Sequence, residues 1–164
     1  MTNENQAKSR ASRTEDTSLL RHSEIRNGEF VRYYGKSNEI TSPDSVTVIS
    51  EDAFRNNKHL THVRLGKSVT LIENGAFSGC SNLQSVTLPE GLYEIGNSVF
   101  FGCEALTEIA FTATDGWYYT YDPNAESGGA ADLTDPEDNA DLLREDYRAY
   151  YVKRTPPSED TPEA

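Results

Sequence analysis

The chain has 164 residues, with 27 acidic and 15 basic side chains, a net charge of -12, 35% hydrophobic residues and two cysteines. This balance disfavours nonspecific attraction to nucleic acid, and two cysteines are too few for a disulfide scaffold. The charge is uneven: residues 115–164 hold 13 acids and 4 bases, so the last third would draw a cationic partner or imitate a phosphate backbone.

In chain order, residues 1–23 are polar and read as a flexible arm whose Leu19 and Leu20 can tack it to the domain. The opening "MTNENQAKSRASRTEDTSLL" has no secretory apolar segment, and no apolar run approaches the roughly eighteen residues of a membrane span. The expectation is a cytoplasmic chain without membrane contact, or a secreted or cell-surface one if a signal peptide has been removed. Residues 24–46 change character: "GEFVRYYG" has strand composition ending in a turn, and Pro43-Asp44 starts another, which predicts a β-hairpin cap.

From Ile49 the chain can be written in lines of 23 residues without insertion. Ile49, Ile72 and Ile95 align, as do Phe54, Phe77 and Phe100; Leu60, Leu83 and Leu106; Val63, Val86 and Ile109; Leu65, Leu88 and Phe111; and Val46, Val69 and Leu92. One such rung cannot bury its own apolar side chains, but stacked rungs can, so 47–111 predicts a short solenoid of three clear rungs. In "LQSVTL", Leu83, Val86 and Leu88 point inward while Ser85 and Thr87 point out. The fold class expected is α+β, mostly β.

Residues 112–154 predict a terminal cap. "TATDGWYYTYD" is aromatic and β-prone and predicts a strand sealing the open end of the solenoid. "ESGGAA" reads as a flexible loop. Asp135 followed by Pro136, Glu137 and Asp138 marks a helix start, and Ala140, Leu143, Tyr147 and Tyr150/Tyr151 continue at helical spacing to a basic end at Lys153 and Arg154. Residues 155–164 read as a Pro-rich disordered tail.

The pattern "AFSGCSNLQSVTLPEGL", repeated from "AFRNNKHL" to "VFFGCEAL", resembles the BspA-type leucine-rich repeat, common in surface and secreted proteins of gut and oral bacteria. The resemblance implies a leucine-rich repeat solenoid with terminal caps, and partner binding in place of catalysis. It also implies that Cys80 and Cys103, one rung apart, are small packed corner residues; an adventitious disulfide or half a metal site are the alternatives.

Candidate functional residues follow from the outward strand positions. One column is His62, Ser85 and Glu108, and the next is Arg64, Thr87 and Ala110; these side chains vary without touching the core. A second candidate patch is aromatic: Trp117, Tyr119 and Tyr121, weighed against burial in the cap. Asp132, Asp135, Asp138 and Asp141 recur every third residue but lack the glycine and terminal glutamate of a calcium loop. No nucleophile, base and acid stand at catalytic spacing, so the chain is expected not to be an enzyme and to need no metal or cofactor. The expected function is a non-catalytic protein–protein binding module, with a second copy of the chain among its partners and no direct nucleic acid binding. Two alternatives stand beside it: an acidic, phage-type inhibitor blocking a nucleic-acid-binding host enzyme, and a fragment of a bacterial surface adhesin.

Overall fold

A computed structural model describes residues 19–146 and 149–155. The arm over residues 1–18, Tyr147 and the tail from residue 156 lie outside the described residues. The chain forms β1 (Ser23–Arg26), β2 (Glu29–Tyr33), β3 (Glu39–Thr41), β4 (Val48–Ile49), β5 (His62–Arg64), β6 (Leu71–Ile72), β7 (Ser85–Leu88), β8 (Glu94–Ile95), β9 (Glu108–Phe111), β10 (Trp117–Thr120), β11 (Gly129–Ala130), a helix α1 (Pro136–Asp141) and β12 (Tyr151–Arg154). Two sheets form the walls of the solenoid. One is four-stranded, in the order β3-β5-β7-β9; the other is eight-stranded, in the order β1-β2-β4-β6-β8-β12-β10-β11.

The repeat produces this register directly. Ile40, Val63, Val86 and Ile109 pair in one row across the four-stranded parallel sheet, with all four side chains buried. On the opposite wall Phe30, Ile49, Ile72 and Ile95 form the matching buried row. Between the walls the phenylalanines stack. Ring centroids lie 4.8 Å apart for Phe30–Phe54, 4.8 Å for Phe54–Phe77 and 5.7 Å for Phe77–Phe100, the last two pairs within 9° of parallel. The rungs are tied by backbone bonds, for example Phe54 N–H to Ala76 O at 2.8 Å and Phe77 N–H to Val99 O at 3.1 Å.

The ends differ from the sequence expectation in four places. The hairpin is β1–β2, turning at Asn27 and Gly28, both at positive φ. β3, expected as part of that hairpin, is instead a fourth strand of the repeat sheet. The helix expected to run to Arg154 ends in a wider turn over Leu142–Asp146, and Tyr151–Arg154 is a strand inserted between β8 and β10. Val152 is buried opposite Ile95, so two-residue alternation overrides the helical spacing of the tyrosines. It is therefore β12, not the 112–122 segment, that covers the edge of β8. Finally, the glycine loop contains β11, which pairs with β10; a Cβ on Gly128, at the entry to β11, would lie 2.2 Å from the backbone oxygen of Tyr119, so glycine there lets the two strands close.

The cap is stapled to the last rungs by β12. Lys153 pairs with Glu94 at 3.4 Å and also donates to Pro123 O. Arg154 donates to Asp115 Oδ1 at 2.7 Å, Asp115 O at 2.9 Å and Glu90 O at 3.0 Å. That Arg154 hydrogen bond holds the Asp115 carboxyl below the usual carboxylate range.

Candidate functional site

The outer surface of the four-stranded sheet is two-toned. Threonines at the corners spend their hydroxyls on the neighbouring rung: Thr61 donates to Asn38 O at 3.0 Å, Thr107 to Gln84 O at 3.4 Å and Thr112 to Leu88 O at 2.8 Å. The strand positions between them do not. Glu39, His62, Ser85 and Glu108 form one outward row and Thr41, Arg64, Thr87 and Ala110 the next. Glu39, His62, Glu108, Thr41 and Arg64 are exposed, while Ser85, Thr87 and Ala110 are half-buried. His62 Nδ1 lies 2.9 Å from Thr61 Oγ1 and 3.9 Å from Glu39 Oε1. Among the described residues Arg64 has no ion-pair partner, so its charge faces outward uncompensated.

Two residues of this face, Glu39 and Thr41, were hidden from the sequence because their rung lacks the repeat's leucines. At the other end the cap adds a carboxylate rim: a groove is lined by Leu106, Thr107, Glu108, Glu137, Asp141 and Arg144. Arg144 is turned into the protein surface there, donating to Glu104 O at 3.3 Å and Asp141 Oδ1 at 2.8 Å. The face thus runs from a cationic middle at Arg64 to an acidic end at Glu108 and Glu137.

The aromatic candidates separate. Trp117 is buried, donates its indole N–H to Ala113 O at 2.9 Å and meets Phe111 edge-on at 5.0 Å, so it is a cap residue and offers no contact surface. Tyr119 packs against the core and sits edge-on to Tyr150 at 5.1 Å. Tyr121 is 69% exposed, its ring 4.0 Å from that of Tyr150. Three of the aspartates are engaged locally. Asp132 accepts the hydroxyl and N–H of Thr134, Asp135 caps α1 by accepting Glu137 N–H at 2.9 Å, and Asp141 holds Arg144.

Cys80 and Cys103 are buried, unpaired thiols. Each donates to a carbonyl of the preceding rung, Cys80 to Phe54 O at 3.0 Å and Cys103 to Phe77 O at 3.2 Å. Asn57, their counterpart one rung earlier, donates to Gly35 O at 3.1 Å and accepts from the N–H groups of His59 and Leu60. Burial pushes the Cys80 thiol up to about 11 and the Cys103 thiol up to about 12. Unfolded thiols ionise near pH 8.5–9. Above that pH the unfolded chain sheds protons that the folded chain keeps, so stability is expected to fall as pH rises from about 9 toward 11. A double Cys80→Ala, Cys103→Ala variant should show a shallower alkaline loss in urea titrations; equal slopes would contradict the assignment.

A family model described as "BspA type Leucine rich repeat region" matches residues 23–116 in six copies. The chain belongs to this family. As a BspA-type repeat protein it is similar to three solved structures. A leucine-rich repeat protein of Treponema pallidum is 33% identical, with a TM-score of 0.51 over 52% of this chain and 42% of that one. A leucine-rich cell surface protein of Faecalibacterium prausnitzii is 29% identical, with a TM-score of 0.46 over 51% and 27%. A leucine-rich repeat protein of Eubacterium ventriosum is 26% identical, with a TM-score of 0.50 over 53% and 24%. The chain therefore spans less than half the length of each. No curated protein matches it. No helix among the described residues is long and apolar enough to cross a membrane.

Proposed function

We propose that the chain is a non-catalytic protein-binding module whose contact surface is the outward face of the four-stranded sheet, built on His62, Arg64, Ser85, Thr87 and Glu108. The observation that carries this reading is the division of labour on that face. The corner threonines are engaged in holding rungs together, whereas Arg64 is exposed and without an ion-pair partner among the described residues. Four strands span only about 14 Å, so a complex burying upward of about 1,000 Å² must also use the Glu137 and Asp141 rim. In the same reading the β1–β2 hairpin and the 112–154 segment cap a repeat body that includes β3.

The test is capture of a partner on the immobilised chain, compared with Arg64→Glu and Glu108→Lys variants that keep the wild-type circular dichroism. Loss of one captured protein, by tenfold or more in affinity, supports the face. Equal capture by both variants rejects it. A second reading, acidic inhibition of a nucleic-acid-binding enzyme, draws on the carboxylate rim and the charge of the last third. Glu137→Lys with Asp141→Lys separates the two: it would abolish inhibition in the second reading and only weaken capture in the first. Cytoplasmic action goes with the binding module and with the inhibitor, and display or secretion with an adhesin role.

A further inference from the structure

The two stacks of repeat strands, β4-β6-β8 and β3-β5-β7-β9, have four ends, and the chain covers three of them, with β1 and β11 left as the outermost strands of the large sheet. The β1–β2 hairpin covers β4, and β12, β10 and β11 continue the large sheet beyond β8. At the end of the repeat sheet, the outward-turned carbonyl of Ile109 accepts the Asn139 side-chain amide from α1 at 2.9 Å. The fourth end is β3. Asn38 O accepts from His62 N–H at 3.1 Å and Ser42 N–H donates to Arg64 O at 3.0 Å, so the even-numbered residues of this strand face β5. The N–H and C=O groups of Glu39 and Thr41 therefore point away from the sheet. Among the described residues no strand or helix lies beyond them.

We propose that this edge pairs antiparallel with β3 of a second copy of the chain, about a two-fold axis at Ile40. In that register Glu39 of one copy faces Thr41 of the other. Each such pair exchanges both backbone hydrogen bonds, so four bonds use all four open groups on each edge. The charges agree: each Glu39 carboxylate meets a hydroxyl, never the other carboxylate. The length agrees too. The edge ends at Pro43, which has no N–H to offer and whose carbonyl is already taken by Val46 N–H at 3.0 Å. A longer strand would gain no further bonds on that side, whereas a second β3 is matched in length. Pairing joins two four-stranded sheets into one eight-stranded face roughly 34 Å across. It does not rest on that face being a binding surface.

Three paired residues bury less than the roughly 1,200 Å² of a stable interface, so the pair is weak, absent near about 1 µM and populated above about 100 µM. Sedimentation velocity of the full chain at about 0.15 M salt should show this rise. Thr41 is exposed, so both charge variants keep the fold. Thr41→Lys sets a cation opposite each Glu39 and should tighten the pair about threefold to tenfold; Thr41→Glu sets two carboxylates opposite two and should loosen it by a similar factor. Amide exchange at residues 39 and 41 should slow with concentration in step. A chain monomeric at about 500 µM, or a dimer indifferent to the sign of the charge at position 41, overturns the proposal. So does protection of 39 and 41 by a different protein while the chain stays monomeric.

Discussion

Replacing Phe77 by alanine is expected to cost about 3–5 kcal/mol, a large part of the stability of a domain this size. Phe77 is fully buried between Phe54 and Phe100, at 4.8 and 5.7 Å and nearly parallel to both. The cavity cannot close by collapse, because the rungs on either side are held apart by backbone hydrogen bonds: Phe54 N–H to Ala76 O, Phe77 N–H to Val99 O, and Gly79 N–H to Phe101 O at 2.7 Å. In a solenoid each rung is stabilised chiefly by its two neighbours, so a void in a middle rung weakens both interfaces together. Phe77→Leu keeps most of the volume and should cost less. Urea titration followed by tryptophan fluorescence and circular dichroism checks this. Trp117 reports on the cap and the far-ultraviolet signal on the whole, so non-coincident transitions would show the two halves uncoupling. A cost below about 1 kcal/mol would falsify the view that the ring ladder is the organising core.

What was legible in the sequence was what repeats. Six apolar columns at 23-residue spacing determine which side chains face in, and therefore also which face out, so His62, Arg64, Ser85, Thr87 and Glu108 occupy the rows expected of them. What did not repeat was illegible. The first rung carries Ser42 where the next rungs carry Leu65 and Leu88; its hydroxyl accepts Gly66 N–H at 2.7 Å, a polar solution to a position filled elsewhere by hydrophobic bulk. Its phenylalanine, Phe30, stacks on Phe54 after an interval of 24 residues instead of 23, which also hid it. Strand β12 was obscured because "YRAYYVKR" satisfies helical spacing as well as alternation, and only the uncovered edge of β8 decides between them. The cap's contribution to the candidate face, Glu137, Asp141 and Arg144, depends on where α1 docks, and no local pattern encodes that.

Asn139 is the second residue expected to be critical, through polarity where Phe77 acts through volume. It lies fully buried on α1, and its amide donates to Ile109 O at 2.9 Å and to Leu133 O at 3.0 Å. Ile109 sits on the last strand of the repeat sheet, so its outward carbonyl would meet a further rung if one existed; the side chain of Asn139 supplies the missing donor. Asn139→Leu leaves two buried carbonyls without a partner and should cost about 2–4 kcal/mol. Asn139→Asp should cost at least as much at neutral pH, because an ionised carboxylate would face two carbonyl oxygens in the interior. The two variants differ in pH dependence. The introduced carboxyl can donate only when protonated, so the fold raises its pKa above the unfolded value near 3.9. The folded variant then holds a proton the unfolded chain has lost, and its stability relative to wild type falls as pH rises above about 4. Asn139→Leu contributes no such slope. Amide exchange should speed first in Glu108–Phe111, next to the lost donor, before the earlier rungs respond. Uniform exchange across all four strands, or an Asn139→Asp variant with the same pH profile as Asn139→Leu, would show that α1 holds the sheet by packing alone.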